Sequence, residues 1–247
     1  MRRFLFWSLC FCLLFPVGLS SCDGSDSAAV IFGGTTGKLT WTLTEDGVLT
    51  ITGEGPMPDY RDGGTSETPP WYPHVNRISS LTIGEGVTRI GDYAFMLCSF
   101  VTEVVIPESV TSMGDWAFKG CSALITVSFE HESQLKIIQG SYEKIYVGHS
   151  PNGYNRYYRS GGFRGLANLT TFDASNCSQI ESIEPSAFYH CSKLQSVKVG
   201  TMIPPTCGID AFSELNSYTI LTVPKESIEA YKQANEWKNF TNITALN

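Results

Sequence analysis

The sequence predicts an α/β repeat protein, a solenoid coiled from units of about 23 residues. The strongest indication is that residues 78–100 and 101–123 align without a gap. Equivalent apolar residues lie 23 positions apart, namely Leu81 and Val104, Ile83 and Ile106, Val87 and Val110, Ile90 and Met113, Phe95 and Phe118, and Cys98 and Cys121. Self-similarity at a fixed short period is typical of solenoids, in which each unit contacts only its neighbours.

Each unit carries two recognisable segments. The first, Leu/Val-x-Ile, places two apolar residues on one face of a strand, and Gly84, Pro107, Gly200 or Pro224 then interrupts it. The second, Ala-Phe-x-x-Cys, fits a helical turn, because residues three apart share a helix face. The sequence therefore predicts one short parallel strand and one helical turn per unit.

Five units are predicted over residues 78–217, and the third is too long. Its phenylalanine, Phe163, follows Phe118 by 45 residues where 23 are expected, so 22 residues are extra. Two lie near Glu130–Glu132, and the other 20 lie between Ile138 and Phe163. We therefore place an insertion at residues 139–162. Per-repeat insertions in solenoids map to loops on one face.

Both ends of the array require atypical capping units. Residues 38–77 are interpreted as an N-terminal β cap, because Leu39, Trp41 and Leu43 alternate with polar residues before a turn at residues 45–47. Residues 218–247 are interpreted as a C-terminal cap of one strand and one helix. The helix is expected over residues 225–238, with an apolar face of Ile228, Tyr231, Ala234 and Trp237.

The N-terminal segment has the composition of a bacterial export signal. Arg2 and Arg3 precede an apolar stretch from Phe4 to Phe15, which is too short to span a membrane. Leu-Ser-Ser-Cys at residues 19–22 resembles a lipobox, so residues 1–21 are predicted to be a lipoprotein signal peptide and Cys22 the lipidation site. The alternative is an ordinary signal peptide with a chance cysteine. Residues 22–37 are expected to form a tether.

Charge and composition exclude several classes of partner. The formal charge is −7, and removal of Arg2 and Arg3 with the signal peptide makes it −9. An acidic chain is a poor ligand for nucleic acid or for an anionic membrane surface. The expected membrane contact is the lipid anchor only, at the outer membrane and on the cell surface.

The cysteines follow the repeat and do not follow a metal-binding motif. Cys98, Cys121 and Cys191 occupy a column that Leu166 and Leu215 fill in other units, and Cys207 shares the column of Ile90. We therefore interpret these four as core thiols rather than ligands or disulfide partners. Cys177 belongs to no column. No metal, other cofactor or catalytic residue is predicted.

The insertion contains the candidate ligand-binding residues. They are Tyr142, Tyr146, Tyr154, Arg156, Tyr157, Tyr158 and Arg159. The segment contains three cationic residues, Lys144 and the two arginines, and one acidic residue, Glu143, so it is basic although the whole chain is acidic. Tyrosine and arginine are enriched at binding interfaces. We expect a hairpin with strands near residues 144–147 and 154–158 and a turn at 150–153, although the same hairpin would also suit structural padding on the solenoid flank.

The repeats resemble the BspA-type leucine-rich repeats of Bacteroidetes surface proteins. The segments that carry the resemblance are IGDYAF, MGDWAFKGC and the closing VPKESIEAYKQANEWKNF. The resemblance covers residues 38–247 and implies a leucine-rich-repeat solenoid without catalytic residues. It also implies an adhesion protein that binds a host protein or a glycan, here through the solenoid face and the Tyr/Arg-rich loop. The alternative is a structural or accessory subunit of an envelope complex.

Overall fold

The predicted leucine-rich-repeat solenoid is confirmed, and each coil contributes two short strands where one was expected. The computed structural model describes residues 28–62, 67–146 and 155–246. The signal peptide, Cys22 and Tyr154 lie outside these residues. In the described part of the chain, no helix has the length and apolar content that a membrane crossing needs.

The N-terminal cap is a three-stranded antiparallel sheet, not a hairpin. Its strands are β1 (Val30–Thr36), β2 (Leu39–Thr44) and β3 (Val48–Gly53), followed by the short β4 (Gly55–Pro56). The tether expected over residues 22–37 is therefore wrong from Val30 onward. The sequence did not predict β1, because Gly33 and Gly34 interrupt the alternation of apolar and polar residues that indicates a strand. Tertiary contacts hold it: Phe32 stacks on His74 with ring centroids 3.7 Å apart.

A 3₁₀ helix (Tyr72–Arg77) leads from the cap into the repeats. The strands that follow in chain order are β5 (Ser80–Ile83), β6 (Val87–Ile90), β7 (Glu103–Ile106), β8 (Ser112–Met113), β9 (Thr126–Phe129), β10 (Ile137–Ile138), β11 (Gly140–Tyr146), β12 (Asn155–Gly161), β13 (Thr171–Ala174), β14 (Ser182–Ile183), β15 (Ser196–Val199), β16 (Thr206–Cys207), β17 (Ile220–Val223) and β18 (Asn242–Ala245).

Two parallel sheets run along the solenoid. The wide sheet has the order β18-β17-β15-β13-β9-β7, and the narrow sheet has the order β16-β14-β10-β8-β6-β4. The N-terminal cap joins the array through β3, which pairs parallel with β5. The insertion does not disturb the register, since Phe172 pairs with Val127 and Ile183 pairs with Ile138. Strands β11 and β12 instead pair with each other in antiparallel orientation, outside both sheets.

The Ala-Phe-x-x-Cys segments form a third side of the coil, made of turns rather than a helix. Ala94 and Met96 donate to the carbonyls three residues before them, at 3.3 and 3.1 Å. Tyr93 and Leu97 have φ of 54° and 63°, which ends any helical continuation. The Phe95 N–H bonds the Ala117 carbonyl of the next unit at 2.8 Å. The turns thus stack through main-chain hydrogen bonds, as the strands do.

A column of buried aromatic rings runs along the core. Its members, in order, are Trp71, Phe95, Phe118, Phe163, Phe188, Phe212 and Trp237, with successive ring centroids 5.0–6.1 Å apart. The indole N–H of each terminal tryptophan donates to a main-chain carbonyl, from Trp71 to Ala94 at 2.9 Å and from Trp237 to Pro205 at 2.8 Å. The caps therefore close the column with rings that also satisfy carbonyl groups of buried residues.

The C-terminal cap contains less helix than predicted. The segment forms a 3₁₀ turn (Lys225–Ser227), helix α1 (Ile228–Gln233) and a second 3₁₀ turn (Trp237–Asn239). Ala234 is extended, with ψ of 143°, so one helix over residues 225–238 is not formed. Tyr231 and Trp237 are buried as expected. The chain then adds β18 parallel to β17, a strand that the sequence analysis did not predict.

Candidate ligand-binding surface

The insertion forms the predicted hairpin, with strands that extend further toward its base. Strands were expected near residues 144–147 and 154–158, and the structure has them at Gly140–Tyr146 (β11) and Asn155–Gly161 (β12). Six of the seven candidate residues lie in these strands. The register places Tyr142 opposite Arg159, Lys144 opposite Tyr157, and Ile145 opposite Arg156. In two of these three pairs, an aromatic position is therefore matched with a cationic one in the register.

Glycine allows the hairpin to leave the coil between adjacent units. Gly140 pairs with Gly161 at its base. A Cβ at Gly140 would lie 2.1 Å from the Pro185 carbonyl oxygen, and one at Gly161 would lie 2.4 Å from the Ser186 carbonyl oxygen. A side chain at either position would therefore force the fourth unit away. The close approach fixes where the hairpin begins.

Two serines and an aspartate hold the base of the hairpin to the second unit. Ser141 and Ser160 hydroxyl oxygens are 2.7 Å apart, and Ser160 donates to Asp115 Oδ2 at 2.7 Å. Ser160 is buried. The base of the hairpin is therefore continuous with the repeat array, although most of the inserted residues lie beyond it.

Asp115 is the last member of a row of aspartates along one corner of the coil. Asp59 Oδ1 accepts the Asp92 N–H at 2.9 Å, and Asp92 Oδ1 accepts the Asp115 N–H at 3.0 Å. Arg89 forms ion pairs with Asp59 and Asp92 and donates to Gln139. The Gly-Asp pairs at residues 91–92 and 114–115 were visible as a repeated motif. Their hydrogen-bonding role was missed, because it depends on contacts between units.

The carboxyl groups of this row differ in pKa. Burial and the nearby Asp59 carboxylate raise the pKa of Asp92 above its usual value. Burial also acts to raise the pKa of Asp59, but the Asp92 N–H and the Arg89 guanidinium together outweigh it and lower that pKa. The corner is thus acidic and internally hydrogen-bonded, with one guanidinium between two carboxylates.

Aromatic rings and cations alternate on the turn side next to the hairpin. Tyr93 and Trp116 are stacked at 18° with centroids 6.4 Å apart. Lys119 Nζ lies 5.2 Å from the centroid of the Trp116 ring, and Arg164 Cζ lies 4.5 Å from the same centroid. Such contacts are worth about 0.5–1 kcal/mol each at exposed sites. The sequence analysis assigned these residues no role.

The outer face of the wide sheet carries mainly short polar side chains. Thr222 and Thr244 hydroxyls are 3.1 Å apart, and Lys198 Nζ lies 2.7 Å from Asp173 Oδ2. Val105 and Ile220 are its exposed apolar residues on β7 and β17. This face offers hydrogen-bonding groups in regular rows.

Three of the four predicted core thiols are fully buried, and all three belong to one repeat column. Cys98, Cys121 and Cys191 are fully buried, and Cys207 is half-buried. Cys177, which the sequence left outside any column, is also buried and free. Burial raises the pKa of Cys121, Cys177 and Cys191 to about 12, so these groups are thiols at neutral pH.

Comparison with known proteins gives one family and four matching chains among the solved structures. The model of the "BspA type Leucine rich repeat region" matches in six copies over residues 72–146 and 156–247, where the sequence analysis counted five units. A search of curated proteins finds no significant match.

Two of the matching structures are of bacterial leucine-rich-repeat proteins with low sequence identity to this chain. One, from Eubacterium ventriosum, is 19% identical, with 89% of this chain and 85% of that chain covered and a TM-score of 0.33. The other, a leucine rich cell surface protein from Faecalibacterium prausnitzii, is 20% identical, with 79% and 46% covered and a TM-score of 0.35. The family match spans more than half of the chain, leaves out residues 1–71 and 147–155, and agrees with the repeat register of both sheets. The chain belongs to the family of BspA-type leucine-rich-repeat proteins.

Proposed function

We propose that this protein is a non-catalytic adhesion protein of the cell envelope, which binds a host protein or a glycan through the hairpin β11–β12 and the adjoining solenoid face. The observation that supports the proposal is the hairpin itself. It interrupts a regular repeat without changing the register of either sheet. A segment that the scaffold does not need for its pairing is free to be selected for binding.

Charge and residue type indicate how the hairpin would bind. Tyr142 opposite Arg159 and Lys144 opposite Tyr157 combine aromatic area with positive charge. Both features are favoured at interfaces, and a basic patch on a chain of formal charge −7 is locally complementary to acidic ligands.

Replacement of the hairpin tests this proposal. Residues 142–159 are exchanged for a short Asn-Gly turn, while Ser141 and Ser160 are kept because they bond each other and Asp115. We expect capture of host proteins and glycans by whole cells to fall at least tenfold, with the thermal midpoint almost unchanged. Unchanged capture would contradict a binding role for the hairpin. Stable co-purification with one envelope protein, without capture of a soluble ligand, would instead support an accessory subunit.

The lipid anchor is a second part of the proposal. The supporting observation is the cysteine at the end of Leu19–Cys22, directly after an export signal. We expect fatty-acid labelling of the chain in bacterial cells and its recovery with the outer membrane. The Cys22→Ala variant should lose the label and leave the membrane fraction. Retention of the label in that variant would rule out this anchoring site.

A further inference from the structure

A polar cleft lies between the N-terminal cap and the first repeat. Its volume is about 800 Å³, and its lining includes Thr35, Asp59, Arg61, Glu67, Asp92 and Tyr93. Ligand sites in proteins commonly enclose about 300–1,000 Å³, and the volume of the cleft lies within this range. The cleft is formed by residues distant in sequence, because β1 brings Thr35 beside Tyr60 and the first Gly-Asp segment. It is separate from the hairpin strands.

The charged groups of the cleft form ion pairs with one another and with a neighbouring arginine. Arg61 Nε lies 3.1 Å from Glu67 Oε2, and Arg89 pairs with both Asp59 and Asp92 from behind the cleft wall. Of the lining residues, three carry carboxylates and one carries a guanidinium. The balance is therefore negative, and it disfavours anionic ligands. Carboxylates and guanidinium groups at one site present both acceptors and donors of strong hydrogen bonds.

Tyr93 supplies an aromatic ring at the rim in an unfavourable backbone conformation. Its φ is 54°, a left-handed value that costs a non-glycine residue roughly 1–2 kcal/mol. Trp116 stacks against the ring, and Lys119 Nζ lies 5.6 Å from its centroid. The surroundings thus hold a bulky side chain where glycine or asparagine would be relaxed. Trp116, Ser186 and Asp210 occupy the equivalent positions with φ of 56°, 61° and 60°, so this conformation belongs to the repeated turn, and what distinguishes Tyr93 is the ring that it places at the cleft.

We propose that this cleft is a binding site for a neutral saccharide. The apolar face of a sugar ring would pack on Tyr93, while its hydroxyl groups would bond the Asp59, Glu67 and Arg61 side chains. A neutral ligand fits because the negative balance of the cleft repels sulfated and sialylated sugars. This site goes beyond the proposed adhesion function, because it does not depend on the hairpin.

A binding array tests the proposal. The full, detergent-solubilised chain is applied to neutral, sialylated and sulfated oligosaccharides, and oligolysine serves as a further probe. We expect retention of neutral oligosaccharides alone. Tyr93→Ala should weaken that binding at least tenfold, and Tyr93→Phe should preserve it because the ring remains. Glu67→Gln and Arg61→Ala alter the exposed rim and test the site if Tyr93→Ala fails to fold. Tyr218→Ala, at a tyrosine that is 81% exposed near the opposite end, is the matched control.

The outcomes separate the cleft from the hairpin. Binding of neutral sugars that survives replacement of residues 142–159 but is lost in Tyr93→Ala supports the cleft, whatever the hairpin does. Binding that is lost on hairpin replacement and kept in Tyr93→Ala overturns it. Capture of only sulfated or sialylated sugars or of oligolysine, or no capture of neutral sugars at all, also overturns the proposal.

Discussion

At the residue scale, this protein uses short polar side chains to tie one unit to the next. The aspartate row at residues 59, 92 and 115 is one case, and Asp173 on the wide sheet is another. Asp173 accepts from Lys198 in the next strand and from the Ser175 hydroxyl and N–H. Asp92, Asp115 and Asp173 are only partly exposed, so their bonds hold their geometry better than a typical surface pair, whereas Asp59 is exposed.

The Asp173 contacts predict a measurable pH dependence of stability. Burial acts to raise the pKa of Asp173, but Lys198 and the Ser175 donors outweigh it and lower that pKa below 3.8. The stabilisation is therefore present above the unfolded pKa and is lost as pH falls through the lower folded value. We expect Asp173→Asn to reduce stability at neutral pH and to flatten the loss in acid. Urea unfolding from pH 7 to about pH 3 measures this.

A second variant serves as the control for this prediction. Glu226→Gln removes one carboxylate from an exposed position and keeps the Asp173 contacts. Its acid profile should match that of the unmodified protein. Equal acid profiles for Asp173→Asn and the unmodified protein would show that this carboxylate does not couple to folding.

At the element scale, regular strands were predictable and irregular ones were not. Val104 and Ile106 predict β7 because the repeated Leu/Val-x-Ile pattern places two apolar residues on one face of a strand, and both are buried. The strand β1 escaped prediction because Gly33 and Gly34 carry no apolar side chains. Ala-Phe-x-x-Cys was expected to be helical, since its spacing suits a helix. Left-handed residues and hydrogen bonds to the next unit override that local preference.

The hairpin shows the same limit for the candidate site. An excess of 20 residues between Ile138 and Phe163, with tyrosines in two groups, was sufficient to predict a hairpin. The bonds from Ser160 to Asp115 and the close approach of Gly161 to Ser186 were not predictable, because these contacts join separate units. The Tyr93 cleft was missed for the same reason.

At the scale of the whole molecule, the aromatic column makes the units interdependent. Every phenylalanine in the column stacks on its neighbour in the next unit, and a tryptophan closes each end. Single units cannot bury this ring alone, so stability propagates through the interfaces between units. A change in a cap should therefore affect the entire array.

Trp71→Phe tests this dependence. The phenyl ring would still pack against Phe95, but the Ala94 carbonyl would lose its only indole donor. A buried group left unsatisfied costs about 1–3 kcal/mol. We expect the urea midpoint, followed by far-ultraviolet circular dichroism, to fall for the whole transition. Trp237→Phe should act similarly through Pro205.

Tyr218→Phe, at an exposed ring, provides a comparison that should leave the midpoint unchanged. A normal midpoint in Trp71→Phe would mean that the indole bond contributes little. Two separate transitions would mean that the cap unfolds independently of the repeats.

The sequence by itself determined the repeat, its period, the buried columns and the position of the insertion. These features follow from the spacing of apolar residues, which is local information. The tertiary structure decided that each coil has two strands, that residues 94–98 turn instead of forming a helix, and that β1 and β18 extend the caps. It also brought Tyr93 beside Asp59 and Arg61. Each of these depends on hydrogen bonds and close contacts between units, for which local sequence carries no direct signal.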